Sequence, residues 1–154
     1  MFSGSIVAIV TPMTDEGQLD LEALRQLVDW HIEQGTSGIV VMGTTGESGT
    51  VTEQEYFLAI KTVVEQAAGK IQVIAGSGAM STDKTITLTN EVMKLGVDGA
   101  LVVTPYYCKP SQQGLLAHFT AVAENCDLPI ILYNVPGRTA VDLLPQTVAE
   151  LAKL

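Results

Sequence analysis

Five short apolar runs, each followed by an amphipathic stretch, constrain this chain more than any other feature. The runs are Ser5–Val10, Gly38–Met42, Ile71–Ala75, Gly99–Val103 and Pro129–Tyr133. β-Branched residues dominate them, and apolar side chains follow one another without in–out alternation. That is the pattern of a parallel strand buried on both faces. The intervening stretches have readable helix ends. Asp20 is placed to cap a helix with the stripe Leu21, Leu24, Leu27, Val28 and Ile32, stopping near Gly35. Thr52 with Glu55 forms a capping-box pattern ahead of Phe57, Ile60, Val63, Val64 and Ala67, and Gly69 stops it. Ser81 opens a third helix through Ile86, Val92 and Met93 to Gly96, and Ser111 a fourth through Leu115, Leu116, Phe119 and Val122. Pro145 stands where a first-turn proline is welcome, before Val148 and Leu151.

Strand–loop–helix repeated five times without a linker implies parallel strands joined by helical crossovers. Two architectures fit. One is a five-stranded doubly wound open sheet. The other is a (β/α)₈ barrel, which takes roughly 31 residues per unit, so that 154 residues supply about five units. Spacing alone favours the open sheet. Composition narrows the function classes. With 47% apolar and 16% charged residues a packed core is expected. A formal charge of −9 opposes nucleic-acid and membrane-surface roles. No apolar run approaches a bilayer-spanning length, and the N-terminus shows no export signal. Cys108 and Cys126 lack metal-type spacing, so a reducing cytoplasm and no metal are expected.

In both architectures the loops after the strands build the site. Gly43-Thr44-Thr45-Gly46-Glu47-Ser48 follows the second strand and can bring backbone N–H groups and hydroxyls to a small anion. It can equally be a tight turn with Thr and Ser satisfying local backbone. It is no P-loop, and Gly76-x-Gly78 lacks the third glycine of a dinucleotide fingerprint, so that pair is read as a strand-to-helix turn. Tyr133, ending the fifth strand, is either a proton relay or a core tyrosine with a bonded tip. Arg138, one of two arginines, is either a bidentate carboxylate clamp or a solvated loop residue. Tyr106-Tyr107 either offers one side chain for packing and one for a site or partner, or is a simple packing pair. His31 and His118 read as surface or helix-packing residues, Glu47 as a carboxylate accepting N–H bonds in its own turn, and Met80 and Met93 as core filler.

Together these segments resemble the dihydrodipicolinate synthase family. The resemblance is carried by Gly4–Pro12, Gly43–Ser48, Val73–Ala79, Val103–Tyr107 and Leu132–Thr139, and it runs in register along the whole chain. It reverses the preference for the open sheet. It implies a (β/α)₈ barrel that condenses pyruvate with aspartate semialdehyde through a Schiff base on a sixth-strand lysine, without a cofactor. Thr44, Tyr133 and Tyr107 match the proton-relay triad, with Tyr107 crossing a tight dimer interface. Thr45, Gly46 and the surrounding backbone match the pocket for the pyruvate carboxylate, and Arg138 matches the semialdehyde clamp. A homo-oligomer, a tight dimer and often a tetramer, is implied as well. Arg138 within Asn-Val-Pro-Gly-Arg-Thr favours the synthase over a related aldolase of the N-acetylneuraminate lyase type. A non-catalytic binding or assembly module derived from the synthase is the alternative from another class.

The family is about twice this length. Residues 1–154 are therefore expected to form a partial barrel domain lacking strands six to eight. None of Lys61, Lys70, Lys84, Lys94, Lys109 and Lys153 lies in an apolar strand, so the Schiff-base lysine is expected to be absent and the chain alone inactive. Ser48 and Tyr106 match the family's allosteric lysine site. Glu53, Tyr56, Met80 and Lys84 depart from it, and weak lysine feedback is expected because Lys84 places a cation where a carboxylate would face the ligand's ammonium.

Overall fold

A computed structural model describes residues 2–154. It divides into two compact units. One runs up to Gly76 and includes Val92–Gly99; the other comprises Ser77–Glu91 and Ala100–Leu154. The element order is β1 (Ile6–Ala8), α1 (Leu21–Glu33), β2 (Gly38–Val41), α2 (Glu53–Ala67), β3 (Gln72–Gly76), α3 (Thr82–Lys94), β4 (Gly99–Val103), α4 (Gln112–Glu124), β5 (Ile130–Tyr133), α5 (Pro136–Thr139) and α6 (Pro145–Leu151).

The helix ends follow local chemistry. The Asp20 carboxylate accepts from the N–H of Ala23, and Ser111 Oγ accepts from Gly114. Thr52 and Glu55 close the full capping box, and the bonds from Thr52 hold the Glu55 carboxyl below its usual range. Gly35, Gly69 and Gly96 terminate their helices at positive φ, where a glycine avoids the Cβ penalty. Pro145 occupies the first turn of α6.

In the first unit β2 pairs in parallel with β1 and β3, in registers Val7↔Ile39 and Ile39↔Val73. Its core is built on fully buried Leu24 and Val28 of α1, Ile39 and Val41 of β2, and Ile60 and Val63 of α2. Asp98, just before β4, bonds twice to Val73: its N–H donates to the carbonyl and its carboxylate accepts from the amide. In the second unit β4 pairs in parallel with β5, in register Val102↔Leu132. Ala100, Val102, Leu115, Phe119, Val141, Leu143 and Leu151 form its core. Ser77, just after β3, donates its N–H to the Leu101 carbonyl.

Among the described residues the sheet order is therefore β1-β2-β3-β4-β5, without the reversal that defines a doubly wound sheet. The open-sheet alternative is excluded, and the order is that of consecutive barrel strands. Two expectations need correction. The first strand is shorter than Ser5–Val10, and Ala8 and Val10 are exposed while Ile9 between them is buried, so only one face of this segment is covered among the described residues. Met80 is no core filler: it is about half exposed, at 48%. Among the described residues no helix is long and apolar enough to cross a membrane.

Candidate active site

The first unit contributes the turn after β2. Met42 is fully buried at φ 53°, a left-handed conformation that side-chain-bearing residues seldom take. It turns the chain sharply out of the strand into Gly43. The turn closes through Glu47 N–H to the Thr44 carbonyl at 3.1 Å, and Thr11 Oγ1 donates to the Gly46 carbonyl at 2.7 Å from a buried position. A Cβ on Gly46 would lie 3.1 Å from Thr11 Oγ1 and 3.2 Å from the Met42 nitrogen, so a larger residue there would have to push its neighbours by a few tenths of an ångström. Within this unit the successive N–H groups of Thr44, Thr45 and Gly46 donate to no carbonyl, and the Thr44 and Thr45 side chains are exposed and unbonded. Three N–H groups without a carbonyl partner in the unit, beside two unbonded hydroxyls, are donors of the kind a small carboxylate takes. Ser48 is half-buried at the end of the same turn. The expectation for Glu47 is corrected. Its backbone carbonyl, not its carboxylate, accepts within the turn, from Thr50 N–H at 2.9 Å and Thr50 Oγ1 at 2.8 Å.

The glycines after β3 serve close packing. A Cβ on Gly76 would collide with the Met42 carbonyl oxygen, and one on Gly78 with the Val103 nitrogen. The Tyr56 hydroxyl donates to the Gly76 carbonyl at 2.7 Å. This supports the strand-to-helix reading and gives the pair a reason that the sequence pattern did not show.

The second unit contributes the loops after β4 and β5. The Thr104 N–H donates to the Tyr133 carbonyl at 3.0 Å, so the two loops leave side by side. Tyr133 is half-buried, and its phenol makes no hydrogen bond within the unit. Arg138 sits in the single turn of α5, exposed, with its guanidinium unpaired within the unit. Tyr106 is 39% exposed and Tyr107 85% exposed. Tyr107 and Lys109 both adopt positive φ, at 69° and 47°, so the loop presents the Tyr107 ring away from its own fold. Thr104 itself is fully buried, and its hydroxyl has no partner. The histidines pack rather than face the surface. The His31 Nδ1 lies 3.0 Å from Thr36 Oγ1, and the His118 Nδ1 lies 2.9 Å from Thr82 Oγ1. Burial pushes the His118 pKa down.

The residues that the sequence reading missed hold the segment after α5. Asn134 reaches Asp142 and Leu143, Gln112 reaches Asp142, Leu144 and Thr147, and the buried Thr139 hydroxyl bonds to Val135 and Val141. The one sequence signal was an asparagine directly after a strand-end tyrosine, a position where a side-chain amide readily bonds nearby backbone.

The sequence model of the dihydrodipicolinate synthetase family matches residues 1–154. This chain belongs to that family. It is 57% identical over 152 residues to the 4-hydroxy-tetrahydrodipicolinate synthase of Acidithiobacillus ferrooxidans, and 58% identical over 151 residues to that of Thiobacillus denitrificans. These matches cover 99% and 98% of this chain, and 52% and 51% of the relatives. The chain thus spans about half the length of the curated relatives it matches. Among solved structures, the chloride-inhibited dihydrodipicolinate synthase of Acinetobacter baumannii, complexed with pyruvate, superimposes with TM-score 0.96 at 54% identity. That match covers 98% of this chain and 52% of that one. The enzyme of Thermotoga maritima gives TM-score 0.96 at 49% identity, covering 99% and 51%. The dihydrodipicolinate synthetase fold is a (β/α)₈ barrel, and this chain carries five of its β/α units. Its six lysines all lie on helices or in loops. Lys61 and Lys153 pair with Glu65 and Glu150 on exposed helix surfaces, and Lys109 is exposed in the loop after β4.

Proposed function

We propose that this chain supplies the first five β/α units of a cytoplasmic 4-hydroxy-tetrahydrodipicolinate synthase, a lyase that condenses pyruvate with aspartate semialdehyde through a Schiff base in lysine and diaminopimelate biosynthesis. The observation that carries this reading is the match at 57% identity over 152 residues, 99% of the chain. In this reading the free N–H groups and hydroxyls after β2 receive the pyruvate carboxylate, with Thr45 and Gly46 lining that pocket. Thr44, Tyr133 and Tyr107 pass protons along a relay, because a phenol with a reference pKa near 10 acts within a hydrogen-bonded chain and not as a free base. Arg138 clamps the semialdehyde carboxylate in a bidentate pair. The outward Tyr107 serves a neighbouring copy in a homo-oligomer. The imine-forming lysine lies outside the five units, since no lysine here is desolvated in a strand.

Two experiments test this. The chain alone, incubated with pyruvate and borohydride, is expected to show no pyruvyl adduct by intact mass; a stoichiometric adduct would overturn the placement of the nucleophile. A chimera in which this chain replaces the matched part of the Acidithiobacillus ferrooxidans synthase is expected to condense pyruvate with aspartate semialdehyde. A chimera that instead cleaves N-acetylneuraminate would sink the synthase reading. In the same chimera, calorimetry is expected to show weak or no lysine binding, because exposed Lys84 opposes the ligand's ammonium and Tyr56 is committed to Gly76.

A further inference from the structure

The segment Val141–Leu144 runs extended between α5 and α6 without pairing in the sheet. Its backbone polar groups still need partners, and two side-chain amides supply them. On one side the Asn134 Oδ1 accepts from the Leu143 N–H at 3.0 Å, while its Nδ2 donates to the Leu143 carbonyl at 3.4 Å and to the Asp142 carboxylate at 2.7 Å. From α4 the Gln112 Nε2 donates to the Asp142 carbonyl at 2.7 Å, and its Oε1 accepts from the Leu144 N–H at 3.1 Å and Thr147 Oγ1 at 2.6 Å. The alternation matches a strand, in which one residue's N–H and C=O face one neighbour and the flanking groups face the other. The two amides stand in for two missing strands.

What they enclose is the turn that carries Arg138. From Asn134 to Leu143 the chain leaves β5, makes the α5 turn, reverses at Ala140 with φ 58°, and returns to the clasp. The Thr139 hydroxyl, 2% exposed, lies 3.2 Å from the Val135 carbonyl and 3.0 Å from the Val141 carbonyl, joining the two limbs of that turn. The Arg138 guanidinium has no partner of its own within the unit, so its position is set by this backbone alone. A bidentate clamp needs an orientation fixed to within a fraction of an ångström, and an exposed four-residue turn does not hold one unaided.

We propose that Asn134 is a positioning residue for Arg138, with Gln112 as its counterpart: the clasp on Asp142–Leu144 fixes the turn from which Arg138 meets a carboxylate substrate. This rests on the clamp reading of Arg138. The test uses Asn134→Asp, which sets a carboxylate against the Asp142 carboxylate, and the exchanged pair Asn134→Asp with Asp142→Asn, which restores an amide–carboxylate bond. In the 154-residue chain, Asn134→Asp is expected to speed deuterium exchange at the bonded amides of Arg138, Thr139, Ala140 and Leu143 by about tenfold, and the exchanged pair to bring it back near the original rate. In the chimera, Asn134→Asp is expected to raise KM for aspartate semialdehyde about tenfold while KM for pyruvate stays within about twofold, with recovery in the exchanged pair. Unchanged exchange in Asn134→Asp, no recovery in the pair, or equal shifts in both KM values would overturn the proposal. An unsubstituted chimera without activity would count against the functional reading instead, and the exchange measurement would still decide the clasp.

Discussion

The turn after β2 and the segment after β5 perform similar work by different physical means. In the first unit, Gly43–Ser48 is shaped mainly by backbone: Met42 and Glu47 stand at positive φ and the turn bonds lie a few residues apart, with one long-range side-chain bond, from Thr11 to the Gly46 carbonyl. Its two threonine side chains hold nothing up. In the second unit, Asn134–Leu144 is shaped by side chains, and the Gln112 bonds reach across 30 to 35 residues. A loop made by backbone leaves its side chains free for chemistry. One clasped by side chains uses them as structure and frees only the residue at its tip, here Arg138.

This contrast makes predictions of graded size. The largest effect belongs to neither loop but to the close approach of Gly78 to β4. Gly78→Ala drives a Cβ into the Val103 backbone, which cannot yield as a flexible side chain would. It is expected to cost about 3 kcal/mol or more in urea denaturation. Gln112→Ala removes three hydrogen bonds from the clasp and is expected to cost about 2 kcal/mol. A cost below about 0.5 kcal/mol would show that water replaces the amide and that the second loop is no more side-chain-built than the first.

The pH dependence comes next. His118, on the same helix α4 as Gln112, has its pKa lowered by burial, so below its ordinary value of 6.5 the unfolded chain takes up a proton that the folded chain refuses. Stability is expected to be full above that value, and to fall with pH from there down to the folded pKa. His118→Leu should flatten that slope in denaturation curves recorded below about pH 6.5. The smallest effect is the sharpest for the comparison. Thr44→Val changes an exposed, unbonded side chain and is expected to leave stability within about 0.5 kcal/mol. In the chimera the same substitution is expected to lower kcat by about 100-fold, as loss of a relay group should. A large stability loss in Thr44→Val would break the distinction between the two loops.

Much of the fold was legible because its signals are local. Capping residues Asp20, Thr52 and Ser111 each act on the N–H group three positions on, and the terminating glycines answer a single dihedral. The strand-end motifs were legible for the same reason, since Thr44, Thr45 and Tyr133 each follow a readable apolar run. Met80 was misread because it lies in the bend before α3, where no helical or strand period marks which way a side chain faces. Glu47 was misread because its carboxylate and its carbonyl are alternative acceptors at one position.

By itself the sequence determined five parallel β/α units, the positions of their caps and stops, and a family-specific set of residues at the strand ends. Periodicity and short-range hydrogen bonding are written within a few residues, so they survive without a third dimension. Strand spacing left the order of the strands open and the family resemblance implied it; the tertiary structure alone decided that Gly76 and Gly78 are glycine because backbone presses on them, and that Asn134 and Gln112 bond the backbone of Asp142–Leu144. Those facts depend on groups that meet only after the chain has folded, and no local pattern carries them.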